Sequence, residues 1–381
     1  MKKIFYVANV RMPTDKAHGL QIMKMSEAFR EAGIEIDLIL PGRKNKQYET
    51  ADPFGFYGIK NKFNLINLKA PDPVWLFRLP QGIYIKFQSA LFGLTLWRYF
   101  RKNRAGQDDC LYTRDELLLP WLLNFSQKVV WEAHYLPARK NFYLKYWRRC
   151  HRIISITKGL KDELVRLGVE EKKILVAPDG VDLAEFDAIS GDQEVLRKKI
   201  NLPLNKKIIM YAGHLYDWKG ADLLALAADS FTDDELFVFV GGTDDAVAEF
   251  KQKFGGRHNL LAVGYVPRSQ VPYYLKAADI LVLPNSGKKL ISKLYTSPMK
   301  LFEYMAAARP IVAADLPSIR EVLDQNCAIL FAPDSVESLV AGIKTAQQNS
   351  ALAAAIAVKS HAKAHGYTWA KRALAIKNFL Q

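Results

Sequence analysis

Short apolar runs alternate with amphipathic stretches along the whole chain, in the order of strands followed by helices. In the first half Ile4–Val10 reads as a buried strand, Gln21–Ala32 as a helix ended by Gly33, and Ile36–Leu40 as a second strand. Val129–Glu132 and Ile153–Ile156 are further short strands. A second set begins at Lys207–Ala212 and continues through Leu236–Val240, Leu260–Val263, Asp279–Pro284 and Ile311–Ala314 to Cys327–Phe331. Asp334-Ser-Val-Glu337 then reads as a capping box. Alternation of this kind predicts parallel α/β architecture in both halves. Between the sets, Ala177–Asp187 is dense in turn formers, which predicts domains over residues 1–182 and 188–366. There is no repeat at solenoid period and no low-complexity tract.

Composition narrows the picture. With 381 residues, half of them hydrophobic, the chain suffices for two ordinary domains with substantial cores. Cys110, Cys150 and Cys327 are odd in number and widely spaced, which points to a reducing compartment and against a structural zinc site. The opening MKKIFYVANVRMP reads as a first strand, because Asn9 and Arg11 interrupt the apolar run too early for a signal peptide. The net charge of +15 is lopsided: residues 1–175 carry 31 basic and 17 acidic residues, the remainder 23 and 22. A basic half joined to a neutral half implies an anionic partner for the first.

The densest chemistry lies in Ser297–Val322, SPMKLFEYMAAARPIVAADLPSIREV. Ser297 suits an N-cap and Pro298 a first helical position. The opening N–H groups of Met299 and Lys300 would then point outward with the positive end of the helix dipole, a seat for phosphate to which Lys300 adds a formal charge. Glu303, three residues on, shares that face and suits sugar hydroxyls. An ordinary capped helix ahead of a strand would show the same caps. Upstream, Gly213-His214 and Lys219-Gly220 follow a buried strand, so a ligand can approach the backbone closely and Lys219 can meet a diphosphate. Val266-Pro267 ends another strand, with Arg268 free to contact a base or face water. In the first half, His18-Gly19 lies in the turn after strand one, and Trp131-Glu132-Ala133-His134 ends a strand where catalytic groups of parallel sheets often sit. A lone histidine is by itself more often structural.

The wording of Ser297–Val322 closely resembles the donor-binding segment of GT-B glycosyltransferases of the retaining family 4 group. The resemblance implies two Rossmann-like domains facing across a cleft, an N-terminal acceptor domain and a C-terminal nucleotide-sugar domain, with the last helix, within 367–381, returned to the first domain. It implies that Glu303 contacts the ribose, that Lys219 and Lys300 bind the donor diphosphate with His214 at a position the family fills with arginine, and that Val266-Pro267 meets the base through its backbone. Gly19 would admit the sugar and phosphate, and His134 would stand beside the reacting sugar. Arg114 and Glu132 are candidates for the acceptor pocket. Tyr295 stands where the family has its first glutamate, and Ala308 where glycine is common.

No D-x-D follows a strand, so no metal and no cofactor are expected beyond a UDP- or GDP-linked sugar as donor substrate. Trp75, Phe77, Arg78, Tyr84, Lys86, Phe87, Phe92, Trp97, Arg98, Tyr99, Phe100, Arg101, Lys102 and Arg104 interleave aromatic and basic residues, and Phe142–Arg152 repeats the mixture. The apolar portion between Lys86 and Arg98 is about half the roughly 20 residues a bilayer crossing needs. An anionic membrane surface is therefore the expected partner, with Trp97 and Phe100 at headgroup depth and Arg98, Arg101, Lys102, Arg104, Arg148 and Arg149 supplying charge. A core helix with basic ends is the alternative. No nucleic-acid module accompanies the charge. These features predict a cytoplasmic hexosyltransferase, peripheral on the inner face of the cell membrane, acting on a glycan or lipid-linked acceptor in cell-surface polysaccharide synthesis. A sugar-nucleotide epimerase of the same shape and a non-catalytic glycan- or nucleotide-binding protein are the alternatives.

Overall fold

The computed structural model describes residues 2–74 and 80–381, so Trp75, Phe77 and Arg78 lie outside the described residues. The chain divides into one unit of Met1–Pro178 with Trp369–Gln381 and a second of Asp179–Thr368. The division falls at Pro178 because Val181 already belongs to the second unit: its N–H donates to Tyr367 O at 2.9 Å, and it bridges to Thr368. Leu183–Asp187, within the expected linker, is helical.

The first unit holds seven strands: β1 (Lys3–Val7), β2 (Glu35–Leu40), β3 (Asn64–Asn67), β4 (Cys110–Thr113), β5 (Val129–Ala133), β6 (Arg152–Ser155) and β7 (Ile174–Val176). They pair in parallel in the order β3-β2-β1-β4-β5-β6-β7. The second unit has β8 (Lys207–Ala212), β9 (Glu235–Val240), β10 (Leu260–Gly264), β11 (Ile280–Leu283), β12 (Ile311–Ala314) and β13 (Ile329–Phe331), in parallel order β10-β9-β8-β11-β12-β13. Both sheets are doubly wound, running outward one way from a central strand and then resuming on its other side. The chain direction therefore reverses between β1 and β4 and between β8 and β11. Ligands of such sheets bind beyond the carboxyl ends of the strands at these reversals.

Burial explains the strands. β4, β11 and β12 are buried at every position, as strands covered on both faces must be. In the first unit Trp131 stacks on Trp147 with centroids 5.2 Å apart, and the C-terminal helix Trp369–Leu380 docks there through Lys377 Nζ, which donates to Ala32 O at 2.6 Å. β1 stops at Val7, three residues before the expected end, and the helix after it starts at Ala17, so His18-Gly19 lies in its first turn and not in the preceding loop. The expected capping box is shifted by one residue. Ser335 Oγ accepts the Ser338 N–H, while Asp334 takes a left-handed φ of 62° and accepts the Gly287 N–H at 2.9 Å.

Candidate active site

In the second unit the β8–β11 reversal gathers most of the residues singled out from the sequence. β8 runs into Gly213, whose φ of 136° suits glycine, and then His214, whose ring stacks on Tyr216 at 5.2 Å. Lys219 follows, with its ammonium 5.4 Å from the Trp218 ring centroid and 5.5 Å from that of Tyr216. Gly220 ends the turn at φ 74°, and a Cβ there would fall 1.8 Å from Pro284 O, so only glycine lets the Lys219 loop close onto the end of β11.

The helix Met299–Ala306 begins at the same place, one residue later than expected. Pro298 occupies the N-cap, and Ser297 Oγ accepts the Asp179 N–H at 2.9 Å in place of capping the helix. Leu301 N–H donates to Pro298 O, so the Met299 and Lys300 N–H groups stand ahead of that first bond. Lys300 is 8% exposed, its ammonium makes no hydrogen bond among the described residues, and it lies 4.1 Å from the Tyr211 ring centroid. Burial, then the neighbouring Lys219 charge, holds its pKa well below the lysine range, with Glu303 opposing. Burial likewise lowers Lys219 to about 8. Two lysines held below their ordinary range by burial, with Glu303 the opposing charge among the described residues, are suited to an anion.

Glu303 is not free. Its Oε1 pairs with Arg268 Nη1 at 2.6 Å, and Arg268, which is half-buried, also reaches Glu185 at 3.4 Å. Val266 is packed against the core and Pro267 exposed. Tyr295 is buried at the end of a π-helical turn, Ile291–Tyr295, a geometry that recurs at functional sites.

The first unit shows a different cluster, at the end of β5. Glu132 is fully buried and accepts from Gln21 Nε2 at 2.6 Å, from the Tyr112 hydroxyl and from Arg372, whose Nη2 lies at 3.0 Å. His134 Nε2 lies 2.6 Å from Glu132 Oε1. Burial disfavours the Glu132 charge, but Arg372 and the His134 hydrogen bond outweigh it and hold the carboxyl well below its usual range. Burial and then Arg114 bring His134 down to about 4, against the pull of Glu132. The pair is therefore a carboxylate and a neutral imidazole. Since a carboxylate only accepts, the shared proton sits on Nε2 and leaves Nδ1 as an acceptor.

Two expectations change here. Glu132 is enclosed by its partners and cannot reach an acceptor; it orients His134. Gly19 is buried beneath Tyr57 and Thr14, and a Cβ there would fall 2.3 Å from the Tyr57 hydroxyl, so Tyr57 fills the room expected for a ligand. Arg114 is half-buried and donates to Gln21 Oε1 at 2.6 Å. Asp115, which no sequence motif marks, flanks the β1–β4 reversal; burial and then Glu116 raise it to about 7, with Arg114 and then the Asn9 N–H opposing.

The helix Gln81–Lys102 presents two faces. Tyr84, Phe92, Leu96 and Phe100 are buried, with Phe100 edge-on to Phe5 at 5.7 Å, so Phe100 does not face outward as expected. Ile83, Phe87, Leu94 and Trp97 recur at helical spacing on the other face and are exposed, Phe87 at 55%. Arg101 lies 4.6 Å over the Trp97 ring. Arg148 is engaged with the Gly168 and Leu167 carbonyls. Among the described residues, no helix is long and apolar enough to cross a membrane.

Two family models match the chain: Glycosyltransferase Family 4 over residues 19–185 and Glycosyl transferases group 1 over residues 192–362. The putative teichuronic acid biosynthesis glycosyltransferase TuaC of Bacillus subtilis is 28% identical over 191 residues, covering 50% of this chain and 45% of TuaC. The chain thus spans about half the length of the curated relatives it matches. Two solved structures align over nearly all of both chains. They are HepE of Anabaena in complex with UDP (TM-score 0.73, 16% identity, 99% of each chain) and sucrose-phosphate synthase of Thermosynechococcus elongatus (TM-score 0.78, 18% identity, 99% and 98%). At these identities the likeness is one of fold, which is GT-B.

Proposed function

The chain belongs to the family 4 group of GT-B glycosyltransferases, and from that premise we propose that it moves a hexose from a UDP- or GDP-linked donor to a glycan or lipid-linked acceptor, with retention at the anomeric carbon and without a metal. The observation that carries this reading is the buried, unpartnered Lys300 ammonium beside Lys219 and the start of the helix Met299–Ala306. A diphosphate would supply the missing counter-charge, and HepE, of the same fold, was solved with UDP.

In the proposed reaction the acceptor hydroxyl oxygen attacks C1 as the bond from C1 to the diphosphate oxygen breaks. The hydroxyl proton passes to the leaving phosphate, so the protein need supply no base. Charge accumulates on the departing diphosphate, where Lys219, Lys300 and the Met299 and Lys300 N–H groups lie ready without reorganisation. Glu303, held in place by Arg268, accepts hydrogen bonds from the ribose hydroxyls. TuaC's role in teichuronic acid synthesis supports a cell-surface polysaccharide as the product's destination. The exposed Ile83–Trp97 stripe, with Lys86, Arg98 and Arg101 beside it, suits an anionic membrane surface on the cytoplasmic side.

Calorimetric titration of the full chain with UDP, GDP and ADP tests the seat directly. One nucleoside diphosphate should bind with affinity that falls in the Lys219→Ala and Lys300→Ala variants by about 10- to 1000-fold, the range for one preorganised charge stabiliser. Binding of none of the three, or undiminished binding by both variants, would remove the donor site from this unit.

A further inference from the structure

Asn285 is 1% exposed, and among the described residues neither its amide nitrogen nor its amide oxygen has a hydrogen-bond partner. Buried polar groups are rarely left so, and each group left unmade costs stability. A buried asparagine elsewhere in the same unit shows the usual arrangement: Asn259 is 3% exposed and donates to Ala228 O at 2.9 Å. Asn285 lacks any such structural use.

Its position is fixed from both sides. Pro284 O closes against Gly220, and Ser286 N–H donates to Trp218 O at 2.9 Å, so Asn285 is clamped along the loop that carries Lys219. β11 pairs with β8 as Ile280 with Ile209 and Leu281 with Met210. Continuing that register beyond the strand ends sets Pro284 level with Gly213 and Asn285 level with His214. The unpaired amide thus stands at the β8–β11 reversal, on the strand opposite the glycine loop.

We propose that Asn285 reads a hydroxyl of the donor hexose and sets which sugar the enzyme accepts, an assignment that rests on the donor-binding reading above. The chemistry separates sugar from phosphate. An amide offers one acceptor and two donors, and a hydroxyl both donates and accepts, so the two satisfy each other. Phosphate oxygens only accept at the charge they carry here; they would leave the amide oxygen unpaired, and the two lysines already answer them. With a buried Tyr295 in place of a carboxylate, a neutral amide is a group suited to hydroxyl recognition at this reversal.

Asn285→Leu tests the assignment, because removing an unpaired amide should leave the melting temperature unchanged or raised. Wild type and variant are titrated with UDP, GDP, UDP-glucose, UDP-galactose, UDP-N-acetylglucosamine and GDP-mannose. The nucleoside diphosphate should bind both proteins equally. The margin by which the best nucleotide sugar outbinds its diphosphate should shrink about tenfold or more in the variant, the scale of one or two lost hydrogen bonds. A deoxy donor lacking the hydroxyl that is read should lose as much with wild type and no more with the variant. If wild type binds no nucleotide or nucleotide sugar, the proposed function falls and this assignment with it. If wild type prefers a nucleotide sugar and the variant keeps that margin, or loses diphosphate affinity equally, the Asn285 assignment alone is overturned.

Discussion

Replacing Lys300 by methionine should stabilise the free protein while weakening nucleotide binding by about 10- to 1000-fold. The side chain is buried and its amine unbonded, and such a group costs about 1–3 kcal/mol left unsatisfied. Against that stands its contact with Tyr211 at 4.1 Å. A cation–π contact contributes about 0.5–2 kcal/mol, and the methionine sulfur on the same ring recovers about 0.3–1.5 kcal/mol. The balance favours the variant by about 1 kcal/mol, or about 2–4 °C in melting temperature for a unit of this size. Ligand reverses the order. At a hundredfold excess over its dissociation constant, a nucleoside diphosphate stabilises wild type by about 2.7 kcal/mol, a rise of about 5–10 °C. Calorimetric melts of both proteins, with and without nucleotide, read all four numbers. A variant that melts below wild type without ligand, or that rises with nucleotide as much as wild type does, would refute the account of Lys300 as an ammonium kept for an anion.

Lys219 predicts a pH dependence. Its folded-state pKa of about 8 lies below its ordinary value of 10.5, so between those values the unfolded chain binds more protons. The free protein's stability should rise with pH from about 8 to 10.5 in denaturant titrations and lose that component in Lys219→Met, while nucleotide affinity falls through the same window as the charge is lost. Glu303→Gln should weaken nucleotide binding by about 1.5–3 kcal/mol and also lower stability, because half-buried Arg268 loses its shorter ion pair and keeps only the longer one to Glu185; calorimetry showing unchanged affinity in a folded variant would sink the ribose assignment. Ala308 ends its helix at a left-handed φ of 53°, which costs alanine about 1–2 kcal/mol, partly offset by glycine's chain entropy of about 0.5–1 kcal/mol. Ala308→Gly should therefore raise the melting temperature by a few degrees, and a fall would contradict the strain argument. Phe87→Glu with Trp97→Glu should abolish co-sedimentation with acidic vesicles and leave nucleotide affinity intact; equal binding of wild type to neutral and acidic vesicles would remove the membrane surface as a partner.

The second unit was largely legible because its signals are local. A glycine turn after an apolar strand and a Ser-Pro opening to an amphipathic run mark Lys219, Lys300 and Glu303 in the sequence, and the helix start differs by one residue. β3 and β4 are not legible in the sequence, for opposite reasons. Cys110–Thr113 is buried at every position and has no period to read, while Asn64–Asn67 alternates asparagine with apolar residues over only four positions. What the sequence concealed is long-range. Glu132 meets Arg372 across 240 residues, and nothing beside either residue announces the other. The Arg268–Glu303 pair likewise joins a loop to a helix start. Asn285 carried no signal at all, since a buried amide becomes informative only once its lack of partners is seen.

The most direct test of the central claim is transfer itself. The full chain is incubated with nucleotide sugars labelled in the hexose and with lipid-linked acceptors, and label and free diphosphate are measured together. The account predicts that one donor yields labelled acceptor and free UDP or GDP in equal amounts, with the anomeric configuration retained by NMR and transfer lost in Lys300→Met. Release of diphosphate with an epimerised free sugar, or tight nucleotide binding with no label transferred to any acceptor, would contradict it.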